Sequence, residues 1–131
     1  MEAKFEELIG KTIISIIGME SDSDNIIFKI SDNETYVMGH YQECCESVFV
    51  DDICGDVDDL INSPILIAEE RTSEDNPKEI EDYEYDSYEY YEYGHHTWTF
   101  YHIATIKGYV DIRWYGGSNG YYSENVDFYK F

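Results

Sequence analysis

Apolar residues recur at every second position over much of the chain, the period of strands rather than helices. Residues 12–18 (Thr-Ile-Ile-Ser-Ile-Ile-Gly) are β-branched and apolar on both faces, as a central strand would be. In residues 25–31, Ile26, Phe28 and Ile30 alternate with Lys29. Asp32-Asn33 then supplies a two-residue turn, and residues 35–41 return as the hairpin partner. Residues 47–50 and 65–69 read as short strands, the second placed after Pro64. Two arms, 96–106 and 109–115, flank a Lys107-Gly108 turn. Trp98, Phe100, His102, Ala104 and Ile106 share one face of the first arm, while Val110, Ile112 and Trp114 alternate with Asp111 and Arg113 in the second. A glycine-rich loop is expected over 116–120 and a closing strand over 126–131.

Helical signals are brief. Phe5, Leu8 and Ile9 share one side of a helix over residues 2–9. Asp56, as N-cap, opens another over 55–61 that Pro64 stops. The pattern predicts a β-rich α+β fold: a mostly antiparallel sheet of about seven or eight strands with one or two short helices. Residues 1–131 form a single expected domain, with an acidic, tyrosine-rich loop or lid over 71–94.

Charge changes this picture. The chain carries 29 acidic against 8 basic residues, a formal charge of −21, yet 43% of it is hydrophobic, so the acid sits on a folded body. No Lys or Arg occurs in the 41 residues between Lys29 and Arg71, while residues 30–70 carry eleven carboxylates. Such a surface repels nucleic acid and membranes and attracts cationic protein surfaces. The start lacks the basic and apolar stretches of a signal peptide, and no apolar run approaches the roughly 18 residues of a membrane span. Three cysteines, two of them adjacent, do not suggest a secreted disulfide framework, so the expected location is cytoplasmic, in a host bacterial cytosol.

Candidate chemistry concentrates in a few short strings. His40-Tyr41-Gln42-Glu43-Cys44-Cys45-Glu46 offers His40 and Cys44 to a metal, with Cys54 and His95 or His96, but no Cys-x-x-Cys is present. A cysteine nucleophile based on His40 or His102 is opposed by the acidic surroundings, which suppress the thiolate. Cys44 and Cys45 read best as small buried residues at a strand–loop junction. Residues 51–59 lack the calcium-loop order of ligands. No phosphate loop or nucleophile elbow occurs; no metal, cofactor or catalytic residue is expected. The acidic run Glu81, Asp82, Glu84, Tyr85, Asp86, Tyr88, Glu89, Tyr90 would, if extended, repeat carboxylates on one face about every 6.6–6.8 Å. That row is sparser than the one charge per roughly 1.7 Å of duplex DNA, yet acceptable to a basic groove.

Several strings together carry a resemblance: His40-Tyr41-Gln42-x-Cys44-Cys45-Glu46-Ser47, Asp58-Asp59-Leu60-Ile61-x-x-Pro64-Ile65, and Ser118-Asn119-Gly120-Tyr121-Tyr122-Ser123-Glu124-x-Val126-Asp127-Phe128. The chain resembles a family of small acidic proteins of unassigned function found largely in bacteriophages and mobile elements. The resemblance implies a phage context, in which such proteins often inhibit host nucleic-acid machinery, as anti-CRISPR and anti-restriction proteins do. It transfers no site residues.

The expected function is therefore that of an acidic phage-type inhibitor, an anti-CRISPR or other anti-defence protein. It would bind a basic host nucleic-acid-binding protein as a DNA mimic, through Asp51, Asp52, Asp56, Asp58, Asp59 and the 81–90 run. The alternative is a nucleotide-binding or sequestering protein, or an enzyme. Its pocket would be built from His40, Gln42, Cys44, Glu46, Arg113, Asn119, Tyr121, Ser123 and Glu124.

Overall fold

Eight strands carry the alternation: β1 Ile13–Ile17, β2 Asn25–Ile30, β3 Glu34–Gly39, β4 Ser47–Gly55, β5 Ile67–Ser73, β6 His95–Thr105, β7 Gly108–Ser118 and β8 Asp127–Lys130. The computed structural model describes residues 1–30, 33–73 and 95–131. The strands form two antiparallel four-stranded sheets, ordered β1-β2-β3-β8 and β4-β7-β6-β5. Ile26, Phe28 and Met38 of the first sheet join Ile103, Val110, Ile112 and Trp114 of the second in one hydrophobic cluster, since each strand turns alternate side chains to the same side. Phe128 sits at its aromatic centre, 5.4 Å from Tyr36, 5.5 Å from Phe5 and 6.1 Å from Phe28 between ring centroids.

The expected helices are replaced, among the described residues, by two single 3-10 turns, Phe5–Leu8 and Val57–Leu60. The first stays short because the chain before it pairs with β8 through Ala3 N–H to Phe128 O and Lys130 N–H to Met1 O. The second has the expected cap, Asp58 N–H donating to Asp56 Oδ1 at 3.0 Å, and ends at Leu60, two residues before Asn62 turns the chain with φ 64°.

Three boundaries also differ. β1 lies at a sheet edge and not in the middle; Ile14 and Ile17 remain about half exposed, because β-branching favours strands whatever stands beside them. β4 continues through the acidic Asp51-Asp52 at a bulge, where Arg113 neutralises the charge that suggests a loop. β7 runs on through Gly116 and Gly117 to Ser118. Gly116 pairs with Val48 and Thr97, and a Cβ there would stand 2.6 Å from the Glu124 carbonyl oxygen. Its lack of a side chain is what lets residue 124 approach.

The chain passes between the sheets twice, from β3 to β4 through residues 40–46 and from β7 to β8 through residues 119–126. These connections contain the two most distinctive sequence strings.

Candidate functional site

Each connection between the sheets is wound around one buried carboxylate. In the first, Glu46 Oε2 accepts from Glu43 N–H (2.8 Å) and His40 Nε2 (2.7 Å), and Oε1 from Cys44 N–H (3.0 Å). Gln42 Nε2 donates to the Glu46 and Cys44 carbonyls at 2.6 and 3.2 Å. His40 donates from its other nitrogen, Nδ1, to the Asn125 carbonyl at 2.8 Å, which ties the two connections together. Both ring nitrogens thus face oxygens, one on each connection.

In the second connection, Glu124 accepts from Thr97 Oγ1 at 2.7 Å, from His95 Nδ1 at 2.9 and 3.0 Å, and from the Ser118 hydroxyl. Ser118 Oγ in turn accepts from Gly120 N–H at 2.9 Å. Thr97, Ser118 and this role for His95 escape a linear reading of the sequence. The Lys107-Gly108 turn alone could have found them, since the hairpin it sets places His95 opposite Ser118.

Burial opposes ionisation of Glu46, but the His40 bond and the backbone N–H groups of Glu43 and Cys44 outweigh it and hold its carboxyl at about 2, below the ordinary 4.5. A depressed folded-state value stabilises above the unfolded value and is lost as pH falls through the folded one. Wild type is therefore expected to lose more stability than Glu46→Gln between pH 4.5 and 2, with the urea midpoint of each measured across that window. Parallel profiles would show that the carboxylate is not held this way.

The residues expected to form one pocket divide between two places. His40, Gln42, Cys44, Glu46 and Glu124 gather at the two connections, but their polar atoms are occupied by the bonds above. Asn119 and Ser123 build turns, accepting from Tyr121 N–H (3.0 Å) and Asn125 N–H (3.2 Å), and Tyr121 is exposed. Arg113 is elsewhere. It pairs in register with Asp52, four residues along β7 from Gly117, roughly 13 Å at the strand rise. Its Nε donates to Asp51 Oδ2 at 2.7 Å. Cys44 and Cys45 are exposed and joined by a disulfide, not buried, because they lie at the apex of the first connection and outside either sheet.

Arg113 belongs to the outer face of the second sheet. There the register sets Arg71, Phe100, Arg113 and Asp52 in one cross-strand row, and Glu69, His102, Asp111 and Cys54 in the next. The Arg71 guanidinium lies 4.4 Å from the Phe100 ring centroid, and His102 Nδ1 bonds Asp111 Oδ1 at 2.5 Å. These rows line an open groove of about 690 Å³ that also takes in Glu6 and Glu70. Burial, then the Glu6 charge, raises the Glu70 carboxyl above its ordinary value. The cross-strand order places Asp111 between Cys54 and His102, so the histidine is not next to the thiol it would have to activate. Among the described residues no group of three or more His, Cys, Asp or Glu is arranged to hold a metal ion.

The partner-facing carboxylates also divide. Asp51 is an internal ion-pair partner, its side chain 8% exposed, and so leaves the expected binding set. Asp56 caps the second 3-10 turn, and the Asp59 carboxylate rests against Gly108. Asp52 and Asp58 are exposed on the same stretch. Residues 81–90, with the rest of the acidic tyrosine run, lie outside the described residues. No helix among the described residues is long and apolar enough to cross a membrane.

Comparison with curated proteins and with solved structures finds no significant match. A family model matches residues 6–128, nearly the whole chain and both carboxylate-centred connections. The chain belongs to the family described as Domain of unknown function (DUF7448).

Proposed function

We propose that this domain works by binding a protein with a basic, nucleic-acid-binding surface, presenting carboxylates to it much as DNA presents phosphates. The observation that carries this reading is how the positive charge is used. Lys11 and Lys130 both bind Glu34, Arg113 binds Asp51, and Lys107 donates to the Ile61 carbonyl. Much of the small cationic complement is thus consumed internally, while Asp52, Asp58, Glu69, Glu70 and Asp111 stand exposed on or beside the second sheet. An anionic field of that kind speeds encounter with a basic groove and excludes nucleic acid as a direct ligand. With the resemblance to phage and mobile-element proteins, the reading narrows to an inhibitor of a host defence enzyme, of the anti-CRISPR or anti-restriction type.

Capture experiments from bacterial lysate at about 50 and 500 mM salt test it, with duplex DNA as competitor. The expected result is one nucleic-acid enzyme retained at low salt, lost at high salt and displaced by DNA. Retention that neither salt nor DNA disturbs would remove the mimicry while leaving a binding role.

One observation favours a second reading, the groove of about 690 Å³ with Arg71, Phe100 and Arg113 in its lining, a size that accommodates a small molecule. Five carboxylates share that lining, which opposes a nucleotide. Thermal stabilisation by a nucleotide at saturating concentration would favour the groove over the protein partner.

A further inference from the structure

The adjacent cysteines have no part in the binding reading, yet they sit in a defined chemical setting. Cys44 and Cys45 are both exposed, and their sulfurs are bonded to one another across a single peptide unit. The flanking backbone is fixed by groups other than sulfur: Glu46 holds the N–H of Glu43 and of Cys44, and Gln42 holds the carbonyls of Cys44 and Glu46. His40 in turn holds Glu46 and anchors it to the second connection. None of these bonds involves sulfur, and sequence adjacency by itself keeps the two thiols within one peptide unit when the disulfide opens.

We propose that Cys44 and Cys45 are a redox-active vicinal pair that exchanges two electrons specifically with dithiols, and whose reduced form chelates thiophilic trivalent arsenic. In the exchange, a thiolate of the external dithiol attacks one sulfur, breaking the Cys44–Cys45 bond and forming a mixed disulfide. The other cysteine leaves as a thiolate and takes up a proton. The second thiol of the reductant then closes on the first and expels the remaining protein thiol. The protein gains two electrons and two protons; the dithiol becomes a disulfide.

A monothiol is not equivalent. Its mixed disulfide is attacked by the neighbouring cysteine, held within one residue, faster than by a second monothiol from solution. The charges act in the same direction. Exposed Glu43 and ionised Glu46 border the pair, and the chain as a whole carries −21, so anionic thiols such as glutathione are repelled. Cys54, the remaining cysteine, cannot intervene. It lies seven residues along β4 from Ser47, roughly 23 Å at the strand rise.

The test counts free thiols by intact mass after iodoacetamide, on folded full-length protein first oxidised with diamide. Wild type is expected to take up one alkyl group, on Cys54, and three after dithiothreitol; Cys54→Ser takes none and then two. Glutathione at equal thiol concentration leaves these counts within about a tenth of the oxidised values. Phenylarsine oxide binds the reduced protein one to one, As=O and two S–H giving two As–S bonds and water, and protects both thiols. In Cys45→Ser given glutathione disulfide, the Cys44 thiolate displaces one glutathione as its thiol and keeps the other as a lasting adduct, and arsenical binding falls at least about tenfold. Three alkyl groups on wild type after diamide would overturn the pair. So would a stable glutathione adduct on wild type, or arsenical binding unchanged in Cys45→Ser.

Discussion

Replacing Phe128 with alanine is expected to lower the unfolding free energy by about 3–5 kcal/mol, read from urea denaturation. Its ring meets Phe5, Phe28 and Tyr36. Tyr101 of the second sheet meets Phe5 edge-on, 4.8 Å between ring centroids. Truncation removes the transfer free energy of the ring and leaves a cavity bordered by the first sheet and the first 3-10 turn, which cannot collapse together. Small domains hold about 5–15 kcal/mol in total, so this one change takes a large share of the margin. Phe128→Leu, which refills part of the volume, is expected to cost less than half as much. Equal and small losses for both would mean that the first 3-10 turn is not held to the first sheet through this residue.

Glu124→Ala is expected to cost about 3 kcal/mol by the same measurement. The buried carboxylate receives three side-chain donors, from Thr97, His95 and Ser118. Bonds to a charged acceptor are worth about 1.5–3 kcal/mol each, and a buried donor left without one costs about 1–3 kcal/mol. Ser118 is fully buried, so water does not replace the lost acceptor. His95 is half exposed and recovers hydration, which keeps the sum below that of three buried donors. Glu124→Gln keeps the shape but turns an amide N–H2 toward groups that already donate, so an intermediate loss is expected. Should alanine and glutamine cost the same, shape rather than hydrogen bonding would be what residue 124 contributes.

Legibility along the chain followed the range of the physics involved. Strand existence was plain wherever alternation was strong, as at Ile26, Phe28 and Ile30, because facing in or out depends only on a residue's own side chain and its period. Asp56 was recognised as a cap for the same reason: the bond it makes is two residues long. The first 3-10 turn reads as a longer helix because the competing pairing, Met1 to Ala3 against β8, comes from the far end of the chain. β1 looked central since composition shows apolarity on both faces but not which neighbours arrive. Asp51 looked like surface because its partner, Arg113, is 62 residues away.

The candidate site divided in the same way. The strings around His40 and Glu124 stood out by composition, and the structure joins them through the His40 bond to Asn125. Arg113 does not join them, since strand order puts it on the outer face of the second sheet.

By itself the sequence determined the charge, the β-rich class, most strand positions and the second cap. Composition fixes charge, and alternation and capping act over a few residues. Only the tertiary structure decided the pairing of two four-stranded sheets, the two buried carboxylates that bind their connections, the place of Arg113 and the exposure of the joined cysteines. Sheet pairing, the Glu124 site and the place of Arg113 rest on contacts between residues far apart in the chain, and local pattern carries no information about which distant strand will be the neighbour.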